Sequence, residues 1–328
     1  MEKPAAETKN LARVKGSRLK TLLVTKLKTN VLRQSKGATI GKGDTILVRY
    51  DGTFVESGER FDATYDFTTF NTPIPTLNYT QLDGAFLLQA TPAPPFEFVL
   101  GAGEVIKGWD KAFQKGRRLG EVIDLTIPSD LAYGEEGRPN IPPNSDLRFK
   151  VEVLAARAKG ADPADPPLLP DLSDLGVDIE TLGLKTSELD DLNSVKIGLK
   201  GADRIIGDNS KDLLIGLGGK DKLFGAGGAD VLIGGKGANR YRYTDIADSA
   251  AGNESRDSIY GFSNKDKINL RGLNAELNFI GADKFSGAAG DLRFHNETLK
   301  LDLDGDASAD FAISLPGTEN LKASNLIL

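Results

Sequence analysis

From Gly198 the chain repeats itself every nine residues: GLKGADRII, GDNSKDLLI, GLGGKDKLF, GAGGADVLI, GGKGANRYR. Position one is always glycine. Position six is Asp203, Asp212, Asp221, Asp230 and finally Asn239, and position eight is Ile205, Leu214, Leu223, Leu232 and Tyr241. Glycine permits turns and close backbone approaches that a side chain forbids. A recurrent apolar residue needs a shared core, which only stacked repeats supply. Five registers without a slip argue against a glycine-rich linker with accidental periodicity. The array also carries Lys200, Arg204, Lys211, Lys220, Lys222, Lys236, Arg240 and Arg242, which oppose a cation wherever they lie near the turns.

These nonapeptides resemble the repeats of RTX calcium-binding β-rolls. The resemblance implies a six-residue turn followed by a three-residue strand, wound as a parallel coil with position eight inward. Turns two repeats apart then share an edge. Backbone carbonyls and the carboxylates of Asp203, Asp212, Asp221 and Asp230 would surround calcium, which takes six to eight oxygens at flexible geometry. So thin a core relies on the metal for folding free energy. Ser210 at position four and Asn239 at position six depart from the pattern, so two well-formed sites are expected.

Downstream, "YRYTDIADSAAGNESRDSIYGFSNKDKINLRGL" and "LKLDLDGDASADFAISLPGTENLKASNLIL" are similar to the non-catalytic C-terminal domain of serralysin-type secreted metalloproteases. The zinc motif H-E-x-x-H is absent, so protease activity is not implied. Export by a type I secretion apparatus, through an uncleaved C-terminal signal, and an extracellular location are. The stretch "DLDGDASAD" (302–310) has oxygen ligands at alternate positions but no closing glutamate, and reads as a hairpin turn rather than an EF-hand loop.

The two halves differ in charge. Residues 1–160 hold 23 Lys/Arg against 19 Asp/Glu, and residues 161–328 hold 18 against 28. An acidic rear half suits cations better than nucleic acid. The absence of cysteine excludes disulfides and thiolate chemistry, and a lone histidine, His295, argues against a serine–histidine triad. No stretch has the length and apolarity of a membrane span. "TLLVTKL" (21–27) is too short and too charged for a signal peptide. The first residues read as a solvated basic lead-in to a first strand.

In the front half "TILVRYDGTFV" alternates as a strand does, interrupted by the turn signal Asp51-Gly52. "FEFVLG", "EVIDLTI" and "LRFKVEVL" read as further strands, and "GWDKAFQKG" places Trp109, Ala112 and Phe113 at helical spacing. An antiparallel sheet on one short helix follows. "DPADPPLLPDL" (162–172) reads as a stiff extended linker, and the stretch to residue 192 as short helices or a capping turn.

The ordered set "LVRYDG", "GERFDATYD", "PFEFVLGAGEVIKGWDKAF" and "LAYGEEGRPNIPPNSDLRFKVEVL" resembles the FKBP family of peptidyl-prolyl isomerases across residues 36–157. The resemblance implies a proline-binding pocket lined by Tyr50, Phe61, Asp62, Phe96, Val105, Ile106, Trp109, Tyr133, Ile141 and Phe149. Trp109 would form its floor, Tyr133 and the Ile106 N–H would hold substrate carbonyls, and Asp62 would sit near the twisting bond. Proline-containing peptides, unfolded proteins and the family's macrolide inhibitors are the implied ligands. Two departures stand out. Thirty-two residues separate Asp62 from Pro95, where the family has a handful, and Arg138 stands where many members have histidine.

The expected chain is therefore mainly β, with two domains: an FKBP-like α+β unit, then a parallel β-roll with a β-rich cap. Its divisions are a basic segment at 1–35, the isomerase domain at 36–157 with an insertion at about 67–94, a linker and lead-in at 158–197, the roll at 198–242 and the secretion domain at 243–328. The alternative function is non-catalytic: a proline-peptide binder or a calcium-dependent extracellular interaction protein.

Overall fold

The computed structural model describes residues 24–64, 77–82, 85–90, 95–164, 167–190, 192–252 and 254–328. Most of the basic lead-in, and the insertion apart from a backbone hairpin, lie outside the described residues.

The front part is one antiparallel sheet with a helix across it. In chain order come β1 (Lys28–Arg33), β2 (Thr45–Phe54) and β3 (Arg60–Ala63) of that sheet, then β4 (Leu77–Leu82) and β5 (Ala85–Ala90), which form a separate two-stranded hairpin. After them come β6 (Phe96–Val99), helix α1 (Lys107–Phe113), β7 (Val122–Ile127) and β8 (Leu147–Arg157). The sheet order is β1-β7-β8-β2-β3, with β6 also on β2. Strand β8 pairs along the whole of one edge of β2. On the other edge β6 takes Thr45–Val48 and β3 takes Asp51–Thr53. This edge is therefore interrupted between β6 and β3, just beyond Tyr50, whose backbone still bonds Thr64.

Helix α1 buries Trp109, Ala112 and Phe113 against Phe98, Ile123, Leu125 and Ile127. Gly108 lets it lie close, since a Cβ there would sit 2.4 Å from Ile127 Cγ2. The Asp51-Gly52 pair is not a turn: β2 runs through it to Phe54. Asp51 is buried and accepts from Arg60 Nε at 2.8 Å and Nη2 at 2.9 Å. Gly52 is required for space, because a Cβ would lie 2.8 Å from Phe61 Cζ and 2.9 Å from Phe149 Cε1.

The rear part winds between two sheets. Arg204–Ile206, Lys222–Phe224, Arg240–Arg242, Lys267–Asn269 and Leu326–Ile327 stack in parallel in one. Ser194–Ile197, Asp212–Ile215, Val231–Ile233 and Asp257–Tyr260 stack in parallel in the other. Successive repeats thus alternate between sheets. The position-eight side chains meet between them, each no more than 1% exposed. The second sheet continues through Phe311–Ser314, Thr298–Asp302 and Asp291–His295, the β-rich cap. Residues 302–310 are the hairpin connection between two of these strands.

The linker does not span open solvent. Ala156 and Leu168 exchange two backbone hydrogen bonds of 3.1 and 2.8 Å, and Leu169 packs on Leu154 and Ala155. The ambiguous stretch after it forms a helical turn at Ile179–Leu182, capped by Asp178, and a 3-10 turn at Thr186–Leu189. Leu172, Val177, Leu184 and Leu189 then cover the outer apolar side of the second roll sheet.

Candidate functional site

A cavity of about 650 Å³ opens at the break in the edge of β2. All ten residues expected to line a pocket line it, together with Gly103, Glu104, Arg138, Pro139 and Asn140. Strand β2 contributes Tyr50, β3 contributes Phe61 and Asp62, β6 Phe96, and β8 Phe149. Val105 and Ile106 lead into α1, whose first turn turns Trp109 inward. The loop after Leu131 carries Tyr133 and Ile141.

The rings hold one another edge to face. Trp109 lies 5.4 Å from Tyr50 and 5.2 Å from Phe149, centroid to centroid, with interplanar angles of 84° in both. Phe61 meets Phe149 at 5.5 Å and 89°. Such pairs add about 0.5–1.5 kcal/mol each beyond burial and fix ring orientation. Trp109 is 4% exposed, so it forms a floor, whereas Phe96 at 37% forms part of the rim. The indole N–H is buried with no partner among the described residues.

Two polar pairs edge this apolar floor. The Tyr50 hydroxyl donates to Asp62 Oδ2 at 2.7 Å. Burial first, then that hydrogen bond, pushes the Tyr50 phenol well above its ordinary value. Arg138 Nη1 donates to the Tyr133 hydroxyl at 2.7 Å and its guanidinium lies 5.0 Å from that ring's centroid. The site can bind a small apolar ring and position polar groups around it.

In the roll the position-six residues form two columns. Each donates its N–H to the side-chain oxygen of the position-six residue two repeats on: Asp203 to Asp221, Asp221 to Asn239, and Asp212 to Asp230. The columns continue beyond the array, Asp230 to Asp257 and Asn239 to Asp266, each across 27 residues. Sequence reasoning missed Asp257 and Asp266, although 27 is three periods of nine.

The second oxygens divide the four expected ligands. Asp203 Oδ2 accepts the Leu199 N–H and Asp212 Oδ2 the Asp208 N–H, each at 2.7 Å. Asp221 Oδ2 and Asp230 Oδ2 are buried without a partner among the described residues. Burial pushes the Asp221 carboxyl up to about 7; burial and then Asp257 push Asp230 up to about 9. Orphaned carboxylate oxygens beside stacked glycine carbonyls are the donor set a hard dication takes. Gly219, at φ 148, would place a Cβ 1.7 Å from Gly201 O, so these turns stack too closely for any side chain.

Residues 36–154 match the FKBP-type peptidyl-prolyl cis-trans isomerase family, and residues 184–328 match the peptidase M10 serralysin C-terminal family. FK506-binding protein 5 of Dictyostelium discoideum is 34% identical over 140 residues, 42% of this chain but 7% of that protein. Peptidyl-prolyl cis-trans isomerase FPR2 of Saccharomyces cerevisiae is 38% identical over 117 residues, 35% of this chain and 67% of the relative. FK506-binding protein 1 of the same yeast is 36% identical over 130 residues, 39% of this chain and 90% of the relative. Its pocket lies within the front segment that matches this family and its rear segment matches the serralysin C-terminal family; the chain belongs to the FKBP-type peptidyl-prolyl cis-trans isomerase family.

Proposed function

We propose that the front pocket catalyses rotation about X-Pro bonds in peptides and unfolded proteins. The barrier to that rotation, about 20 kcal/mol, comes from amide resonance. The twisted amide is less polar than the planar one, so a dry aromatic site binds it better than the ground state. Trp109 would receive the proline ring, Tyr133 and the Ile106 N–H would orient carbonyls, and Asp62 would face the twisting bond. The convergence of all ten aromatic, aliphatic and polar residues on one 650 Å³ cavity carries this reading. Proline isomerisation of a peptide by the full chain tests it: Asp62→Leu and Tyr133→Ala depress turnover, and a macrolide of the kind the family binds competes with the peptide. Turnover unchanged in both variants removes the assignment.

The rear part, in the same reading, folds around calcium. Asp221 and Asp230, each with the carbonyls of the turns in its own column, would each hold an ion, and calcium would supply the positive charge those buried carboxyls lack. Cytosolic calcium scarcity would leave the roll unfolded for passage through a type I secretion channel, and the extracellular ion would then fold it. The serralysin-like match supports this route. Among the described residues no helix is long and apolar enough to cross a membrane. Export from a host carrying such a channel, lost on deletion of residues 243–328, is the test.

A further inference from the structure

A parallel coil has a first turn and first strands with no repeat before them, and such ends need a cap. In the roll these are the turn after Gly198 and the strands Ser194–Ile197 and Arg204–Ile206, which stand at the edges of the second and first sheets. Inside the array, Lys236 at position three donates its N–H to Leu217 O, in the turn two repeats before, at 2.8 Å. Lys200 holds position three in the first repeat, with no earlier turn of the array behind it. Its N–H donates instead to Leu32 O of β1, also at 2.8 Å. The front sheet thus offers the first turn the carbonyl that a preceding turn would offer.

Leu32 can do this because β1 bulges there. Val31 pairs with Ile123 and Arg33 with Val122, so Leu32 falls outside the ladder with β7. A bulge leaves its extra residue unpaired and re-aims it. Arg33, next to it, is 3% exposed and has partners in both parts. Its Nε donates to Gly120 O at 3.0 Å, its Nη2 to Glu152 of β8, and its Nη1 to Ile197 O of the roll at 3.5 Å. Two further contacts close the seam. The Lys36 N–H donates to Asp174 O at 2.8 Å. Leu175 Cδ2 lies 2.6 Å from where a Cβ on Gly120 would stand, so only glycine admits it. Leu175 in turn packs among the apolar residues that cover the second roll sheet.

We propose that the front part is the N-terminal cap of the roll, with β1 standing in for a preceding repeat, so that the stability of the isomerase pocket depends on the roll being folded. A flexible tether between independent domains needs neither a bulge aimed at the first turn nor a buried arginine shared across the seam. In stacked repeats stability passes between neighbours. Here the neighbour of the first turn is β1, which pairs with β7, and β7 carries the apolar bed under helix α1 and Trp109. One consequence rests on the calcium reading above: the ion would stabilise the front part as well, and a pocket ligand would in return tighten calcium binding.

Trp109 is the chain's single tryptophan, so its fluorescence follows the front part alone in thermal melts of the full chain. Circular dichroism follows the β structure of both parts. Leu223 is 0% exposed between the roll sheets, and Leu223→Asp unfolds the roll with or without metal. With calcium present, that change should lower the Trp109 transition by about 5 °C or more. Lys200→Pro with Leu175→Ala opens the seam, and in that background Leu223→Asp should move Trp109 no further. If the opened variant fails to fold, Arg33→Met and Arg49→Met replace it. Both remove a bond to Glu152, but Arg33 also bonds Ile197 of the roll, so the Leu223→Asp shift should shrink in the first and persist in the second. A Trp109 transition unmoved by Leu223→Asp, or an equal shift with the seam closed and opened, would overturn the cap. So would calcium that raises the dichroism signal and leaves Trp109 unmoved. Calcium without effect on either signal counts against the calcium reading alone, and the Leu223→Asp comparison then decides the cap.

Discussion

Arg138 holds the Tyr133 hydroxyl by a 2.7 Å hydrogen bond in which the guanidinium donates and the phenol oxygen accepts. The hydroxyl proton is left to point into the cavity. A hydroxyl that accepts a charge-assisted bond is polarised and becomes a better donor. Arg138→Leu should therefore weaken the grip on a substrate carbonyl, lowering kcat/KM about fivefold, or about 1 kcal/mol. Tyr133→Phe should make a further Arg138→Leu change silent. A peptide isomerisation assay on the two single variants and the double variant checks both statements.

Gly52 sets the spacing of the pocket rings. A methyl group added there meets Phe61 Cζ at 2.8 Å and Phe149 Cε1 at 2.9 Å. Those rings are locked edge to face, so they cannot yield independently. Gly52→Ala should cost about 1–3 kcal/mol of stability through overpacking and roughly tenfold in kcat/KM through displaced rings. Urea denaturation and the isomerisation assay read these separately. Wild-type values in both would mean that the rings relax freely.

The same glycine marks where local reading stops. Asp-Gly is a turn signal because of what the dipeptide does to its own backbone, and nothing in it reports two phenyl rings arriving from β3 and β8. The pocket residues were legible for the opposite reason: each sits at a fixed place in a short motif, and motif order mirrors the order in which strands reach the cavity. The roll was legible from its period alone. Asp257 and Asp266 escaped because the nonapeptide at 243–251 opens on Tyr243 instead of glycine and hides the period, although Gly252 and Gly261 hold position one again five residues ahead of each. The proline-rich linker was read from composition as a spacer, but Leu168 and Leu169 supply a backbone bridge and apolar contact that dock it on β8.

Glu152 of β8 is buried between Arg33 and Arg49, and accepts a hydrogen bond from each. Burial alone raises this carboxyl, but the two guanidiniums outweigh it and hold the group below the usual carboxylate range. Glu152→Gln removes the buried carboxylate that Arg33 and Arg49 share and should cost about 3–5 kcal/mol. The sign of the pH effect follows from the lowered value. The carboxylate's contribution is complete above the unfolded value of about 4.3 and is lost as pH falls through the folded one. Wild-type stability should therefore drop below about pH 4, and the variant should show a flatter acid limb. Denaturant titrations from about pH 3 to about pH 7 check this.

Asp230 carries opposite consequences with and without calcium. Its Oδ1 accepts the Asp212 N–H, while its Oδ2 is buried and unpartnered beside Asp257. Burial and Asp257 hold its carboxyl up at about 9, so folding without metal requires it to protonate or to bury an uncompensated charge. A raised carboxyl binds its proton more tightly in the folded state, so metal-free stability falls as pH rises from about 4 towards about 9. Asp230→Asn keeps the Oδ1 acceptor, as Asn239 does for the Asp221 N–H at 3.1 Å. It removes the charge. In chelator at neutral pH the variant should melt higher than the wild type and show little change with pH. With calcium in excess the order should reverse, since the wild type gains about 2.7 kcal/mol at a hundredfold excess over Kd while the variant gains less. Circular dichroism melts of both proteins, with calcium and with chelator, decide the matter: a wild type indifferent to calcium would show that the orphaned oxygens hold no ion.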